Sequence, residues 1–330
     1  MSFKVSLGFD TSFVAETNES FLSASLRAGL TLPYGCGVGQ CSVCKCKIIS
    51  GISIPLADEI GLSPEDKQDG YILTCVRSPI SNVVLDIEEL SFLRLSKPRY
   101  FPCKIDKIYK LSEDVISVYL RLPSSSNFQY VAGQYIDISL NGVVRSYSIA
   151  NAQSTDKVIQ LQIKNYKNGV MSNYWFKQAK INDLLRIKGP MGTFCLRNVY
   201  SKHLLFLATG TGIAPIKAIL EDLSRFQKNL LPAKISLYWG GRLKSDIYWS
   251  PEYLDIDLDF KPVLSREFGS DGYMGYIQDL VADEITNFSD VVVYACGSVA
   301  MISQSQNILF KSGLPKSSFY SDEFVASGLS

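Results

Sequence analysis

Histidine is almost absent: His203 is the single one in 330 residues. With no second C-x2-C pair either, the chain lacks the usual ligand sets of a zinc site. An excess of one charge is also missing, since 33 Lys and Arg stand against 32 Asp and Glu for a net charge of +1. That balance gives no electrostatic reason to expect nucleic acid or an anionic membrane as partner. No apolar run approaches the roughly 18 residues of a membrane helix. The first residues, Met1 to Leu7, alternate like a strand and lack the apolar block of a secretory signal, so a cytoplasmic location is expected. Internal repeats and low-complexity tracts are absent, and 46 % hydrophobic residues leave no signature of disorder.

What the chain does have is cysteine, at 36, 41, 44, 46, 75, 103, 195 and 296. A reducing compartment argues against a disulfide framework, and the clustering between 36 and 46 argues for a metal or cluster site. Cys36, Cys41 and Cys44 are spaced C-x4-C-x2-C, and Cys75 follows about thirty residues later, the pattern of a plant-type 2Fe–2S ferredoxin. One loop must wrap two irons and aim three thiolates inward while a distant segment supplies the fourth. Gly35, Gly37 and Gly39 allow the unusual backbone angles and let amides approach the sulfurs. Ser42 stands where many ferredoxins have glycine. Cys46 lies beyond the loop and reads as a small core residue, and His203 reads as structural.

The length suggests two or three domains. Residues 1–93 show short alternating strands, one helix over Ser20–Ala28 ended by Gly29, and the cysteine loop. Residues 94–102 are basic, carry Pro98 and Pro102, and read as a linker. From 103 to 199 the chain is a succession of strands, Val115–Leu122, Tyr135–Leu140, Val143–Ile149 and Val158–Lys164, which predicts a small antiparallel barrel. From 200 to 330 apolar strands at Leu204–Ala208, Ile235–Trp239 and Val291–Ala295 alternate with helices at Pro215–Phe226 and Ser298–Phe310. That alternation predicts an α/β domain with a parallel sheet.

Three further segments carry chemistry. Arg145-Ser146-Tyr147-Ser148 lies on a barrel strand. Gly169-Val170-Met171-Ser172 precedes an apolar stretch, Asn173–Gln178, able to start a helix whose N-terminal amides suit a pyrophosphate. Thr209-Gly210-Thr211-Gly212-Ile213-Ala214-Pro215 follows an apolar strand and opens a helix, a phosphate-binding turn in which Gly210 and Gly212 permit close backbone approach.

In this order the motifs resemble the ferredoxin-fused reductases of the ferredoxin–NADP reductase family, over essentially the whole chain. The resemblance implies a multidomain protein: a β-grasp 2Fe–2S domain, an antiparallel β-barrel flavin domain and an α/β nucleotide domain. It implies that Arg145 pairs with the flavin phosphate, that Tyr147 packs along the flavin, and that the Ser148 hydroxyl sits near N5. A second phosphate site at Gly169, Val170, Met171 and Ser172 implies FAD. Gly210, Thr211 and Gly212 are implied to hold the dinucleotide, Cys296 and Gly297 to lie beside the nicotinamide, and Phe324 to cover the flavin ring. Ser148 and Cys296 are the implied catalytic pair. Arg242, Ser265 and Arg266, with Tyr276 and Gln278 nearby, resemble a 2′-phosphate site, while other segments resemble relatives driven by NADH. The coenzyme is therefore read as NAD(P)H.

Two groups of the family fit. Tyr100–Asp106 and Phe319–Val325 resemble reductases that serve a pyridoxamine-phosphate-dependent dehydratase in the synthesis of CDP-3,6-dideoxyhexoses for lipopolysaccharide. There the implied substrate is that partner's bound CDP-6-deoxy-3,4-glucoseen. The alternative acceptor is the oxygenase component of a multicomponent monooxygenase or ring-hydroxylating dioxygenase. In either group, a coenzyme giving two electrons as hydride and a cluster passing one at a time require a flavin between them.

Overall fold

The computed structural model describes residues 1–8, 11–268 and 273–324. The chain forms two compact units. The first holds Met1–Lys97 together with Gly192–Phe194, and the second holds Pro98–Met191 and the chain from Cys195 on.

The first unit is a mixed five-stranded sheet. Its strands are β1 (Ser2–Leu7), β2 (Thr11–Glu16), β3 (Lys45–Ser50), β5 (Tyr71–Leu73) and β7 (Val83–Asp86), in the order β2-β1-β7-β3-β5. The central pair β1 and β7 is parallel and the others are antiparallel, which is the β-grasp arrangement. Two short strands, β4 (Ser53–Pro55) and β6 (Arg77–Pro79), pair separately, and a short helix α2 spans Pro64–Gln68. Helix α1 (Phe21–Ala28) buries Phe21, Leu22 and Ala24. Its limits have local causes: the Ser20 hydroxyl accepts from the Ser23 amide, and Gly29 takes φ +84 to end the helix. In the same unit, Thr193 Oγ1 accepts from the Tyr34 amide at 2.9 Å and donates to the Tyr34 carbonyl at 3.0 Å.

The second unit begins with six antiparallel strands. They are β8 (Arg99–Lys110), β9 (Val115–Arg121), β10 (Tyr135–Leu140), β11 (Val143–Ser148), β12 (Val158–Lys164) and β13 (Leu184–Met191), in the order β11-β10-β13-β8-β9-β12. A bridge between Ile149 and Leu161 joins the two ends and closes the barrel. Its core includes Ile105, Val118, Leu120, Ile136, Ile138 and Leu161, all without solvent exposure. Arg99–Pro102, read from sequence as linker, are the first residues of β8 and pair with Ile187–Gly189 and Arg186 on β13.

A parallel sheet follows, with β14 (His203–Thr209), β15 (Lys234–Gly241), β16 (Asp259–Leu264), β17 (Val291–Ser298) and β18 (Phe319–Phe324) in the order β16-β15-β14-β17-β18. The chain winds outward from β14 in one direction and then returns to its other side. The order therefore reverses between β14 and β17, the place where open α/β sheets bind ligands. Helices α4 (Ile213–Leu223), α5 (Ile277–Glu284) and α6 (Val299–Lys311) cover the faces. Among the described residues no helix is long and apolar enough to cross a membrane.

Candidate redox sites

The loop between α1 and β3 carries three of the four predicted cluster cysteines, and a turn after β5 carries Cys75. Cys44 Sγ and Cys75 Sγ are 3.3 Å apart. The Cys36 and Cys41 thiols are in mutual hydrogen-bond contact, and each sulfur accepts the other residue's amide at 3.3 Å. The Val38 amide adds a bond to Cys36 Sγ at 3.4 Å. Among the described residues no three metal-ligating side chains converge on one ion. The thiols come instead as two pairs, which suits a 2Fe–2S cluster, where each iron takes two cysteines. The hydrogen bond from the Cys41 thiol, helped by the amide donors, pulls the Cys36 thiol below its ordinary range, whereas the same thiol contact and then burial push Cys41 up. Gly39 and Gly61 are fixed by close approach: a Cβ on Gly39 would stand 2.5 Å from the Asp58 carbonyl oxygen, and one on Gly61 2.4 Å from that of Cys41. Cys46 is a buried residue of β3, as expected.

In the barrel, Arg145, Tyr147 and Ser148 project from β11, all three part-buried. Among the described residues Arg145 forms no ion pair; its Nη1 donates to the Val144 carbonyl at 2.7 Å. A guanidinium without a carboxylate partner is available to an anion such as a flavin phosphate. The segment 169–178 differs from expectation. The helix starts earlier, as a four-residue turn α3 (Val170–Asn173), and continues as a π turn through Tyr174–Gln178. Gly169 precedes it, Met171 and Ser172 are buried, and Val170 is exposed. The turn places Trp175 against Tyr147, with the indole N–H donating to the tyrosine hydroxyl at 2.9 Å. The structure thus brings the two predicted flavin segments together.

At the sheet's carboxyl edge, β14 ends at Thr209, the turn Gly210-Thr211-Gly212 follows, and α4 begins. Gly210 has φ +54 and its carbonyl accepts from Trp239 Nε1 at 3.0 Å. Gly212 allows no side chain, because a Cβ would lie 2.1 Å from the Cys296 carbonyl oxygen. Gly297, at φ +149, approaches Thr209 equally closely, and the Ser298 amide donates to Thr209 Oγ1 at 3.3 Å. The register places Phe324 opposite Ser298, so Cys296, Gly297 and Phe324 share this edge with the dinucleotide turn. The Cys296 thiol has no solvent exposure and lies 4.0 Å from Asp322 Oδ2. Burial, with Asp322 beside it, raises its pKa well above the ordinary value, so it is a neutral thiol rather than a nucleophile.

Arg242, Ser265 and Arg266 meet at the ends of β15 and β16. The Arg266 amide donates to the Arg242 carbonyl and the Ser265 amide to the Gly241 carbonyl, both at 3.0 Å. Both guanidiniums are exposed and, among the described residues, neither is paired to a carboxylate. Tyr276 is exposed nearby in sequence, but Gln278 turns inward and its amide donates to Gln304 Oε1 at 2.9 Å. Gln278 is thereby removed from the anion site.

Sequence reasoning missed Trp175, Trp239 and the ion pair of buried Lys217 with part-buried Glu221 on α4. Only Lys217 left a trace, as a lone charge within the apolar run Ile213–Leu220.

Known protein families match each part of the chain. Residues 5–79 match the 2Fe-2S iron-sulfur cluster binding domain, 102–195 the oxidoreductase FAD-binding domain, and 206–307 the oxidoreductase NAD-binding domain. The CDP-6-deoxy-L-threo-D-glycero-4-hexulose-3-dehydrase reductase of Yersinia pestis is 37 % identical, over 96 % of each chain. The chain belongs to the ferredoxin-fused reductase family. Component 1 of the terephthalate 1,2-dioxygenase reductase of Comamonas is 30 % identical over 96 % of each chain. In fold, the crystal structure of the Amycolatopsis cytochrome P450 reductase GcoB superimposes with a TM-score of 0.78 at 25 % identity, covering 99 % of this chain and all of that one. This reductase is accordingly an iron–sulfur flavoprotein oxidoreductase that uses a 2Fe–2S cluster, FAD and NAD(P)H.

Proposed function

We propose that this reductase delivers electrons to a pyridoxamine-phosphate-dependent dehydratase, reducing the CDP-6-deoxy-3,4-glucoseen bound there during CDP-3,6-dideoxyhexose synthesis. The observation that carries this reading is the 37 % identity to the Yersinia dehydrase reductase across 96 % of both chains. The extent of the match supports it, since it spans the cluster, flavin and nucleotide parts of this chain together.

FAD, when bound, supplies the chemistry that accepts a hydride and releases electrons singly. The residues divide the remaining work. Arg145 neutralises the flavin phosphate, Tyr147 lies along the ring system with its hydroxyl held by Trp175, and Ser148 offers its hydroxyl at the strand end. Gly169, Val170, Met171 and Ser172 take the second phosphate. Gly210, Thr211 and Gly212 receive the dinucleotide at the switch point. Cys296 and Gly297 form the floor beside the nicotinamide, the thiol staying neutral, and Phe324 stands at the same edge. Arg242, Ser265 and Arg266 contact the adenosine side of the coenzyme. Cys36, Cys41, Cys44 and Cys75 hold the cluster, from which the partner receives its electrons.

The second reading is an oxygenase reductase, favoured by the 30 % identity to the Comamonas dioxygenase reductase. Reconstitution separates the two. The reductase, a candidate dehydratase, CDP-4-keto-6-deoxyglucose and NADH or NADPH are expected to yield 3-deoxy product. No product with an active dehydratase, together with coupled turnover of an oxygenase component, overturns the first reading in favour of the second.

A further inference from the structure

Lys217 is 6 % exposed, on a helix whose neighbouring positions are apolar. A buried ammonium is unfavourable unless all its donors are satisfied. Here they are. Nζ donates to the Ala150 carbonyl at 2.8 Å, to Gln160 Oε1 at 3.0 Å, and to Glu221 one turn further along α4.

Glu221 is itself committed. Its Oε2 accepts from the Ala152 amide at 2.9 Å, and its Oε1 accepts from the Tyr253 hydroxyl at 2.7 Å. Just past the end of α4, Arg225 Nη1 donates to the Gln153 carbonyl at 2.5 Å. Positions 217 and 221 lie one turn apart on the same face of α4, and Arg225 sits in the turn just after the helix ends at Leu223. The helix face grips the backbone at 150 and 152, and the turn after it grips 153, in the segment that immediately follows Arg145–Ser148.

The arrangement joins two parts of the site. Helix α4 opens on the turn Gly210–Gly212, and the gripped segment continues the strand that carries Tyr147 and Ser148. Packing alone does not account for it, because an apolar residue of similar volume at 217 is ordinarily as stabilising as a buried ion pair. What charged hydrogen bonds to named backbone atoms add is a fixed register between helix and strand.

We infer that Lys217, through Ala150 and Glu221, is a positioning residue for hydride transfer: it sets the dinucleotide turn against the flavin strand. The inference rests on the placement of flavin and coenzyme given under Proposed function. Transfer between two bound rings depends steeply on their approach, and a misplacement of about 1 Å costs about 100-fold in rate.

The test uses the cluster- and flavin-loaded reductase and its Lys217→Met, Lys217→Arg and Glu221→Gln variants, with flavin reduction followed by stopped flow against NADH and 4-deuterated NADH. Lys217→Met and Glu221→Gln are expected to keep their flavin and cluster and to bind NADH within about threefold of the parent. Their limiting rate of flavin reduction is expected to fall about 10- to 100-fold, with an enlarged deuterium effect, and Lys217→Arg is expected to recover part of it. A merely structural lysine would change thermal stability and leave the limiting rate and isotope effect alone. Flavin-replete variants that reduce within about twofold of the parent overturn the inference. Should Lys217→Met not fold, Glu221→Gln decides, since there the ammonium keeps two acceptors. Unchanged flavin reduction by NADH in Gly212→Ala would overturn the site reading and the inference with it, whereas unchanged rates confined to the Lys217 and Glu221 variants overturn the inference alone.

Discussion

The Trp175 indole N–H donates to the Tyr147 hydroxyl at 2.9 Å, with the two rings edge to face and their centroids 6.0 Å apart. Trp175 is 2 % exposed, so its donor has no recourse to water. The bond ties the Tyr147 hydroxyl to the turn Tyr174–Gln178. Burial raises the Tyr147 phenol to about 12, so it stays protonated and accepts this bond as a neutral group. Trp175→Phe keeps the packing and loses the donor. It is expected to weaken FAD retention by about fivefold, the equivalent of ~1 kcal/mol for one neutral hydrogen bond. The flavin-to-protein ratio after dialysis measures it, and an unchanged ratio would detach Tyr147 from flavin binding.

Gly212 faces the Cys296 carbonyl so closely that even a methyl group must push the turn at 210–212 away from β17. Gly212→Ala is expected to destabilise the second unit by about 1–3 kcal/mol through overpacking. It should also prevent flavin reduction by NAD(P)H, while dithionite still reduces the cluster. Comparing the two reductants on one sample makes the check.

His203 supplies a pH dependence. Its Nε2 lies 2.9 Å from Ser236 Oγ, with Asp259 Oδ2 beyond at 3.4 Å from the same hydroxyl. Burial first, and then the Lys234 charge, lower its pKa from the ordinary 6.5, with Asp259 opposing them. A histidine whose folded pKa is depressed binds fewer protons folded than unfolded as pH falls below 6.5, so stability is lost there and unaffected well above it. Melting temperatures from pH 7.5 to pH 5.5 should therefore fall more for the parent than for His203→Gln. Parallel slopes would show that other groups set the acid limb.

The cysteine spacing was legible because ligation by one loop requires fixed intervals in sequence, and the α1 limits were legible because Ser20 and Gly29 act locally. Where partners are distant in sequence, legibility failed. Arg99–Pro102 look like linker by their basic residues and prolines, yet β13 supplies pairing, and Arg186 lies over the Tyr100 ring at 4.3 Å. Gln278 looked available to a phosphate until α6 presented Gln304. Nothing local marks Trp175 as the partner of Tyr147, 28 positions away. The three-residue turn at Gly210 was readable, but the reason Gly212 tolerates no side chain sits on β17.

Arg266 and Arg242 share the outer end of the nucleotide sheet, linked by a backbone bond of 3.0 Å. A 2′-phosphate there would gain two charge-assisted partners that a hydroxyl would not. Arg266→Ala is expected to raise KM for NADPH about tenfold and for NADH about twofold or less, with kcat little changed, since uniform binding is what is lost. Steady-state cytochrome c reduction with each coenzyme measures both. Equal effects would mean that the guanidinium does not reach the 2′ position.

Cys44 and Cys75 place their sulfurs 3.3 Å apart from segments 31 residues distant, so the proposed ligand set takes one of its four thiols from outside the loop. Cys75→Ser replaces a soft thiolate with a hydroxyl that binds iron poorly. Acid-labile sulfide and the EPR signal of the dithionite-reduced protein should be lost or nearly so. Flavin reduction by NAD(P)H should stay within about twofold of the parent, because every residue assigned to that step lies in the second unit. Electron delivery to cytochrome c, by contrast, should collapse. Retention of a full EPR signal would mean that a thiol other than Cys75 closes the site, and Cys46, buried on the adjoining strand β3, is then the residue to replace next.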